Sequence, residues 1–274
     1  MKQTDRFAGK TAYITGGSSG IGLAVARAMA MAGARVMLLA RHEDRLQQAA
    51  EEIRTATGQQ VLWRSLDVTD PVAATAVIDD AAADDLGPPD ILFNSAGRAL
   101  PNYFENISAQ QFDQTLRLNL CGTRHLISAA LPHMRSGGYI VNVSSVAGLI
   151  GVFGYTDYSA SKFAIIGFSE ALRAELKPRG IFVSVLCPPD TDTPGLAAEN
   201  QTKPAETKAI SANARTISAE TVARSLIRGM IKKRFLIIPG FDARLSVLAK
   251  RLTPGLVDWI MDRTIARVHK NANL

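Results

Sequence analysis

An α/β fold, with one parallel sheet covered by helices on both faces, is what this sequence predicts, and three observations predict it. Short apolar runs rich in β-branched residues recur along the chain and alternate with stretches of helical periodicity. The first such run passes at once into a glycine-rich turn and an alanine-rich helix. No linker and no internal repeat interrupts the alternation over residues 1–240, which makes one domain followed by a tail at 241–274.

The first strand is KTAYI at 10–14, followed by TGGSSGIG at 15–22 and a helix to about residue 32. Glycine admits a tight turn and lets backbone approach a phosphate, while a helix start offers free N–H groups and a favourable dipole. The spacing of Gly16, Gly20 and Gly22 therefore reads as a pyrophosphate cradle, one residue longer in the turn than G-x-G-x-x-G. The second strand, 35–39, ends in Ala40 and Arg41. A carboxylate at this point serves the ribose 2′-hydroxyl of NAD, whereas an arginine suits a 2′-phosphate, so Arg41 points to NADP. The plain alternatives are a solvated helix start or a pair with Glu43 or Asp44.

A helix at 43–57 and a strand at 60–66 lead to Asp67 and Val68, and a further helix runs through residue 85. Asp67 either bonds an adenine amine or caps the next helix. The strand at 90–93 closes in NSAG at 94–97, small residues that again allow close approach to a ligand. A long amphipathic pattern at 108–134 carries Asn119 inside the apolar stretch 116–120, where a polar amide must find partners.

YIVNV at 139–143 reads as a buried parallel strand ending in Ser144 and Ser145, and strand ends are where ligands bind in open α/β sheets. The next helix, 155–177, contains YSASK at 158–162, with Tyr158 and Lys162 about one turn apart on one face. A phenol titrates near pH ~10, and a neighbouring ammonium lowers that value, which makes the tyrosine a usable general acid or base. Taken singly, these features have plain readings, since serines end strands and Tyr–Lys pairs decorate exposed helices. A strand at 181–186 breaks at Pro188 and Pro189 into a polar loop reaching about residue 218; a helix at 219–232 and a strand at 235–238 complete the domain. In the tail, Leu245, Leu248 and Leu252 form one apolar stripe and Leu256, Ile260 or Met261, and Ile265 another, with Pro254 and Gly255 between them.

Composition narrows the function classes. Two cysteines without a CxxC pattern read as buried thiols in a reducing compartment, and four scattered histidines lack metal-ligand spacing, so no metal site is expected. A net charge of +6 from dispersed basic residues without interleaved aromatics argues against nucleic acid. Residues 1–9 lack the apolar segment of a signal peptide and no run is long enough to span a bilayer, so a cytoplasmic protein is expected.

TGGSSGIG, NSAG, Asn119, Ser145 and YSASK, five motifs in order, resemble the short-chain dehydrogenase/reductase superfamily up to about residue 240. The resemblance implies a doubly wound Rossmann domain and a catalytic tetrad of Asn119, Ser145, Tyr158 and Lys162. Tyr158 would exchange the proton, Ser145 polarise the substrate oxygen, Lys162 depress the tyrosine and hold the ribose, and Asn119 position a water. It implies NADPH held by Gly16, Ser18, Ser19, Gly20, Ile21 and Gly22, by Arg41, Asp67 and Val68, by Asn94, Ala96 and Gly97, by Tyr158 and Lys162, and by Pro188, Thr191 and Thr193. Two departures stand out: Ser95 replaces the usual second asparagine, and Pro189 replaces the usual glycine and stiffens that turn.

CPPDTDTPG at 187–195, Glu199-Asn200 and 202–204, with Arg41 and SASKFAIIG at 159–167, are similar to the substrate loop and core of 3-ketodihydrosphingosine reductases. That likeness implies reduction of a long-chain keto lipid. A 3-oxoacyl-carrier-protein reductase, a steroid or retinoid dehydrogenase, and a dinucleotide sensor without turnover are the competing readings; a sensor is disfavoured because Tyr158 and Lys162 are both present. The family's habit of pairing through the helices of Asn119 and Tyr158 implies a dimer or tetramer. The tail is net basic and contains Trp259, so it either contacts a membrane peripherally or packs on the protein.

Overall fold

Five- and six-residue runs with almost no exposed surface build the centre of the molecule. The computed structural model describes residues 6–212 and 215–272. In order the elements are β1 (Thr11–Thr15), α1 (Gly20–Met31), β2 (Arg35–Ala40), α2 (Glu43–Thr57), β3 (Val61–Ser65), α3 (Pro71–Ala83), β4 (Ile91–Asn94), α4 (Ala109–Leu116), α5 (Gly122–Ala130), β5 (Tyr139–Val143) and α6 (Thr156–Leu176). They continue with β6 (Phe182–Leu186), β7 (Thr191–Asp192), α7 (Pro194–Thr202), α8 (Ala205–Ser211), β8 (Ile217–Ser218), α9 (Ala219–Ile231), β9 (Leu236–Ile237), α10 (Phe241–Leu252) and α11 (Pro254–Ala272).

Seven strands form one parallel sheet in the order β3, β2, β1, β4, β5, β6, β9. Parallel strands joined by helices bury both faces, which is why β1 and β2 read as near-continuous apolar runs. One face packs on α1, α2 and α9, the other on α3, α5 and α6. The order reverses beside β1, where β4 follows, and the crevice at the carboxyl ends of those two strands is the expected ligand position in such a sheet.

Local chemistry sets the boundaries. Asp70 accepts from the N–H groups of Val72 and Ala73 at the start of α3, with Pro71 in the first turn, and Gly58 ends α2 in the left-handed conformation. The expected single helix over 108–134 is three pieces, because a π-helical segment, Arg117–Cys121, interrupts it at Asn119. Such a segment widens one turn, and here it carries the buried amide toward the sheet. The expected loop after Pro189 contains two helices, α7 and α8, bracketed by the small β7–β8 ladder. Thr193 caps α7 ahead of Pro194, yet α7 buries no residue completely, so it leaves no apolar period to read.

The tail folds back. Pro254 opens α11, which lies against α8 with Met261, Ile265 and Val268 half-buried and His269 Nε2 2.8 Å from Glu206 Oε1. The stripe of Leu245, Leu248 and Leu252, extended by Phe241, stays in solvent, as do Leu256, Trp259 and Ile260. Each expected stripe thus has its own fate: part of α11 packs on the domain, and the apolar face of α10 is uncovered.

Candidate active site

The crevice is built first from glycine. Gly16 and Gly20 have φ of +65° and +53°, and a Cβ on Gly22 would stand 2.2 Å from the Gly16 carbonyl oxygen. The turn therefore closes tightly on α1, whose N-cap Ser19 makes no side-chain cap, leaving the first N–H groups of the helix for an anion. Ser18 is half-buried, Ser19 exposed, and Ile21 half-buried against the core on α1. A Cβ on Gly20 would press on the Thr193 side chain at 3.2 Å, so the cradle and the loop after β6 meet at one place.

Thr15, at the end of β1, accepts from the N–H groups of both Ser95 and Ala96 through Oγ1, at 3.0 and 3.1 Å. This clamp fixes the NSAG turn, and its partner is a hydroxyl that sequence reasoning passed over. The Asn94 side chain points the other way, donating to Asn142 Oδ1 at 2.9 Å inside the sheet, so only its backbone faces the crevice. At the end of β2, Arg41 is exposed and forms no ion pair with Glu43 or Asp44 among the described residues. Asp67 spends Oδ1 on the N–H and hydroxyl of Thr69, which hold its carboxyl below the usual range with help from Arg41. Val68 is buried beneath Gly122. A glycine cradle, an uncapped helix start, a free arginine and a carboxylate with one spare oxygen together fit a phosphorylated dinucleotide.

The second half of the site hangs on the β5–α6 junction. Ser144 and Ser145 are neighbours with different tasks. Ser144 is buried and donates to the Lys162 carbonyl at 2.8 Å, which ties α6 to the strand end. Ser145, extended at φ −162°, accepts from Ala147 N at 3.1 Å, and its hydroxyl bears on the Tyr158 phenol. Gly148 makes the junction possible: a Cβ there would be 2.4 Å from Ser144 Oγ and 2.7 Å from the Lys162 carbonyl. Lys162 Nζ donates to Val143 O at 2.9 Å and lies 5.5 Å from the centre of the Tyr158 ring. Gly97 faces this ammonium, because a Cβ on it would be 3.4 Å from Nζ and 2.9 Å from Asn119 Oδ1.

Asn119 is fully occupied as a donor. Its Nδ2 gives both protons, to Arg98 O and to Ser161 Oγ at 3.0 Å each, and its Oδ1 accepts from Arg98 N at 3.0 Å. An amide so engaged holds the backbone after Gly97 against α6.

Burial, then the charge of Glu199, pushes the Tyr158 phenol above its ordinary value of 10.0, the Ser145 hydroxyl acting in the opposite sense. Burial and the nearby carboxylates act in the sense opposite to the depression expected from Lys162. Lys162 is itself pulled down to about 8 by burial. The result at neutral pH is a protonated tyrosine beside a serine hydroxyl, which is an arrangement that can donate a proton to a developing alkoxide. Cys187, pushed up to about 12 by burial, stays a thiol.

Beyond β6, Pro188 is buried with its carbonyl accepting from Val146 N, and Thr191 Oγ1 donates to Pro189 O at 2.8 Å. Thr193 Oγ1 donates to Thr191 O and caps α7. The loop also delivers Glu199, which accepts from Tyr155 Oη at 2.7 Å, and an Asp190–Lys203 ion pair at 3.3 Å. Asp190, Glu199 and Lys203 fall within the segments that resemble the family's substrate loop, whereas their pairing and the part played by Tyr155 could not be read from sequence.

Comparison with known proteins decides the family. The model of the short chain dehydrogenase family matches residues 10–204. The chain belongs to the short-chain dehydrogenase family. Among relatives of this dehydrogenase, a 3-ketodihydrosphingosine reductase of Bos taurus is 40% identical over 252 residues, covering 90% of this chain and 76% of that protein. A 3-dehydrosphinganine reductase of Arabidopsis thaliana is 37% identical over 254 residues, covering 90% and 75%. Among solved structures, a Burkholderia phymatum short-chain dehydrogenase in complex with NAD superposes with a TM-score of 0.80 at 27% identity, covering 92% of this chain and 96% of that one. One from Burkholderia cenocepacia in complex with NADP gives 0.77 at 30%, covering 87% and 99%.

The two serines give a paired test. Ser145→Ala should lower kcat/KM by about 10²-fold or more, the loss of a donor to the developing charge. Ser144→Ala should instead cost about 1 kcal/mol of stability, read as a lower Tm. Equal losses of activity in the two variants would contradict the division of labour.

Proposed function

We propose that this short-chain dehydrogenase uses NADPH to reduce the 3-keto group of a long-chain sphingoid base, the reaction for which its relatives are named. The observation that carries the reading is the pair at the β5–α6 junction: a phenol held in its protonated form and the serine hydroxyl beside it, both at the strand-end crevice. Gly16 to Gly22 with the start of α1 would hold the pyrophosphate, Arg41 the 2′-phosphate, the free oxygen of Asp67 the adenine amine, and Lys162 the ribose. When bound, the dinucleotide supplies a hydride to the carbonyl carbon. Ser145 orients and polarises the carbonyl oxygen, and Tyr158 gives its proton to that oxygen as charge develops. Asn119 keeps the backbone at Arg98, and with it Gly97, in place above Lys162.

A lipid substrate suits what surrounds the site. A cavity of about 620 Å³ is lined by Val146 and Pro189, which follow Ser145 and Pro188, and by Ile210, Ile217 and Phe241, the last at the start of α10. The uncovered stripe of α10 continues from Phe241, and Arg244 joins Arg228, Lys232 and Arg234 around a neighbouring basic cleft of about 350 Å³. No helix among the described residues is long and apolar enough to cross a membrane. We infer that this basic, apolar face rests on an anionic bilayer, from which a long-chain substrate can reach the cavity. Self-association through α4, α5 and α6 belongs to the same reading; Phe163 on α6 is 46% exposed and gives that face an apolar contact.

The purified protein should oxidise NADPH in the presence of 3-ketodihydrosphingosine, and no turnover with that ketone would refute the substrate assignment. Arg41→Ala should raise KM for NADPH about tenfold or more with little effect on NADH, the scale of one charge-assisted contact; equal effects on both would remove Arg41 from the 2′-phosphate. Vesicles containing anionic lipid should pull down the full chain, less so as salt rises, and Leu248→Asp should abolish the binding. Binding that ignores lipid charge and this substitution would show that the stripe has another occupant.

A further inference from the structure

The proposed substrate carries more than a ketone. In 3-ketodihydrosphingosine an ammonium sits on the carbon next to the carbonyl, the same N–C–C=O connectivity as a peptide backbone, whose bond lengths keep nitrogen and oxygen within roughly 4 Å. With the carbonyl oxygen at Ser145 and Tyr158, a cation must therefore come to rest within a few ångströms of the hydroxyl of Tyr158, which is half-buried at the crevice. An anion beside it there would favour binding.

Of the four carboxylates of the substrate loop, Asp192 is exposed, which leaves three candidates. Asp190 is neutralised by Lys203, which is buried. Glu206 is held by Tyr103 Oη at 3.0 Å and His269 Nε2 at 2.8 Å, away from the crevice. Glu199 differs from both. Its one side-chain hydrogen bond among the described residues comes from the neutral Tyr155 hydroxyl, at 2.7 Å on Oε1, and no ion pair engages it. Tyr155 is buried and packs on Tyr158, with ring centres 5.6 Å apart. The carboxylate is thus aimed, partnered on one oxygen only, and one ring away from the proton donor. It also exerts the largest charge effect on the Tyr158 phenol.

We propose that Glu199 receives the ammonium of an α-amino ketone, positioned beside Tyr158 by the hydrogen bond from Tyr155, and so selects sphingoid ketones over plain long-chain ketones. The proposal rests on the sphingoid reading above. Burial holds the Glu199 carboxyl above its ordinary range, and the substrate's own cation favours and compensates its charge on binding, so that the carboxylate ceases to oppose charge build-up on the phenol.

The test compares two ketones of equal chain length, 3-ketodihydrosphingosine and the analogue lacking the amino group. The wild-type enzyme is expected to favour the amino ketone at least tenfold in kcat/KM, chiefly through KM, the scale of one charge-assisted contact. In Glu199→Gln this ratio is expected to fall toward one, whatever happens to the absolute rates. A wild-type ratio near one, or a ratio that survives in Glu199→Gln, overturns the proposal, and the wild-type measurement stands even if the variant folds poorly. Reduction of neither ketone by the wild-type enzyme removes the sphingoid reading itself, and the proposal with it.

Discussion

One buried ammonium organises the site. Lys162 Nζ donates to the Val143 carbonyl at the end of β5, and the Lys162 carbonyl accepts from Ser144 one residue further along, so side chain and backbone of a single residue pin α6 to the strand that carries Ser145. Because Tyr158 is one turn earlier on the same helix, this double attachment is what fixes phenol and serine hydroxyl in a common frame. The attachment has a stability cost. The folded-state value of Lys162, about 8, lies below its ordinary 10.5, so the unfolded chain binds the proton more tightly; the penalty is full below pH 8 and is relieved as pH rises toward 10.5. A purely structural lysine at this place would be a poor choice for folding, which is the signature of a residue kept for what it does.

The rest of the crevice is arranged around that frame by close backbone approach. Gly97 and Gly148 bring two turns onto Lys162 where any side chain would collide, Asn119 uses the widened π-helical turn to hold Arg98, and Thr15 clamps the NSAG turn to the end of β1. The same economy recurs at the cradle, where Gly16 and Gly22 meet. Electrostatics then follow from geometry: burial raises the phenol and lowers the amine, so the tyrosine is held protonated at neutral pH.

The order of strands and helices was legible because buried parallel strands are nearly all apolar and several of their helices, α4, α5 and α9 above all, carry a strong period, and the five motifs sit at or near the strand ends where the fold puts ligands. Asn119 announced itself as an amide among leucines, although its partners, Arg98 and Ser161, could not be read, since both are made by the fold. Ser144 and Ser145 looked alike in sequence and separate only through one residue's difference in direction along an extended chain. The segment after Pro189 was least legible. Helices α7 and α8 are short and amphipathic only weakly, and Glu199 and Tyr155, 44 residues apart, meet through tertiary packing alone. In the tail, periodicity announced two helices, but which apolar stripe would be covered depended on α8, an element that periodicity did not reveal.

The most direct test of the central claim, that the frame presents Tyr158 as the proton donor, is Tyr158→Phe measured for both binding and turnover. NADPH affinity is expected to stay within about threefold of wild type while kcat falls about 10²-fold or more, the usual scale for an acid–base group. Retention of more than about a tenth of wild-type kcat, with the fold and affinity intact, would contradict it, because proton transfer would then have to come from another group.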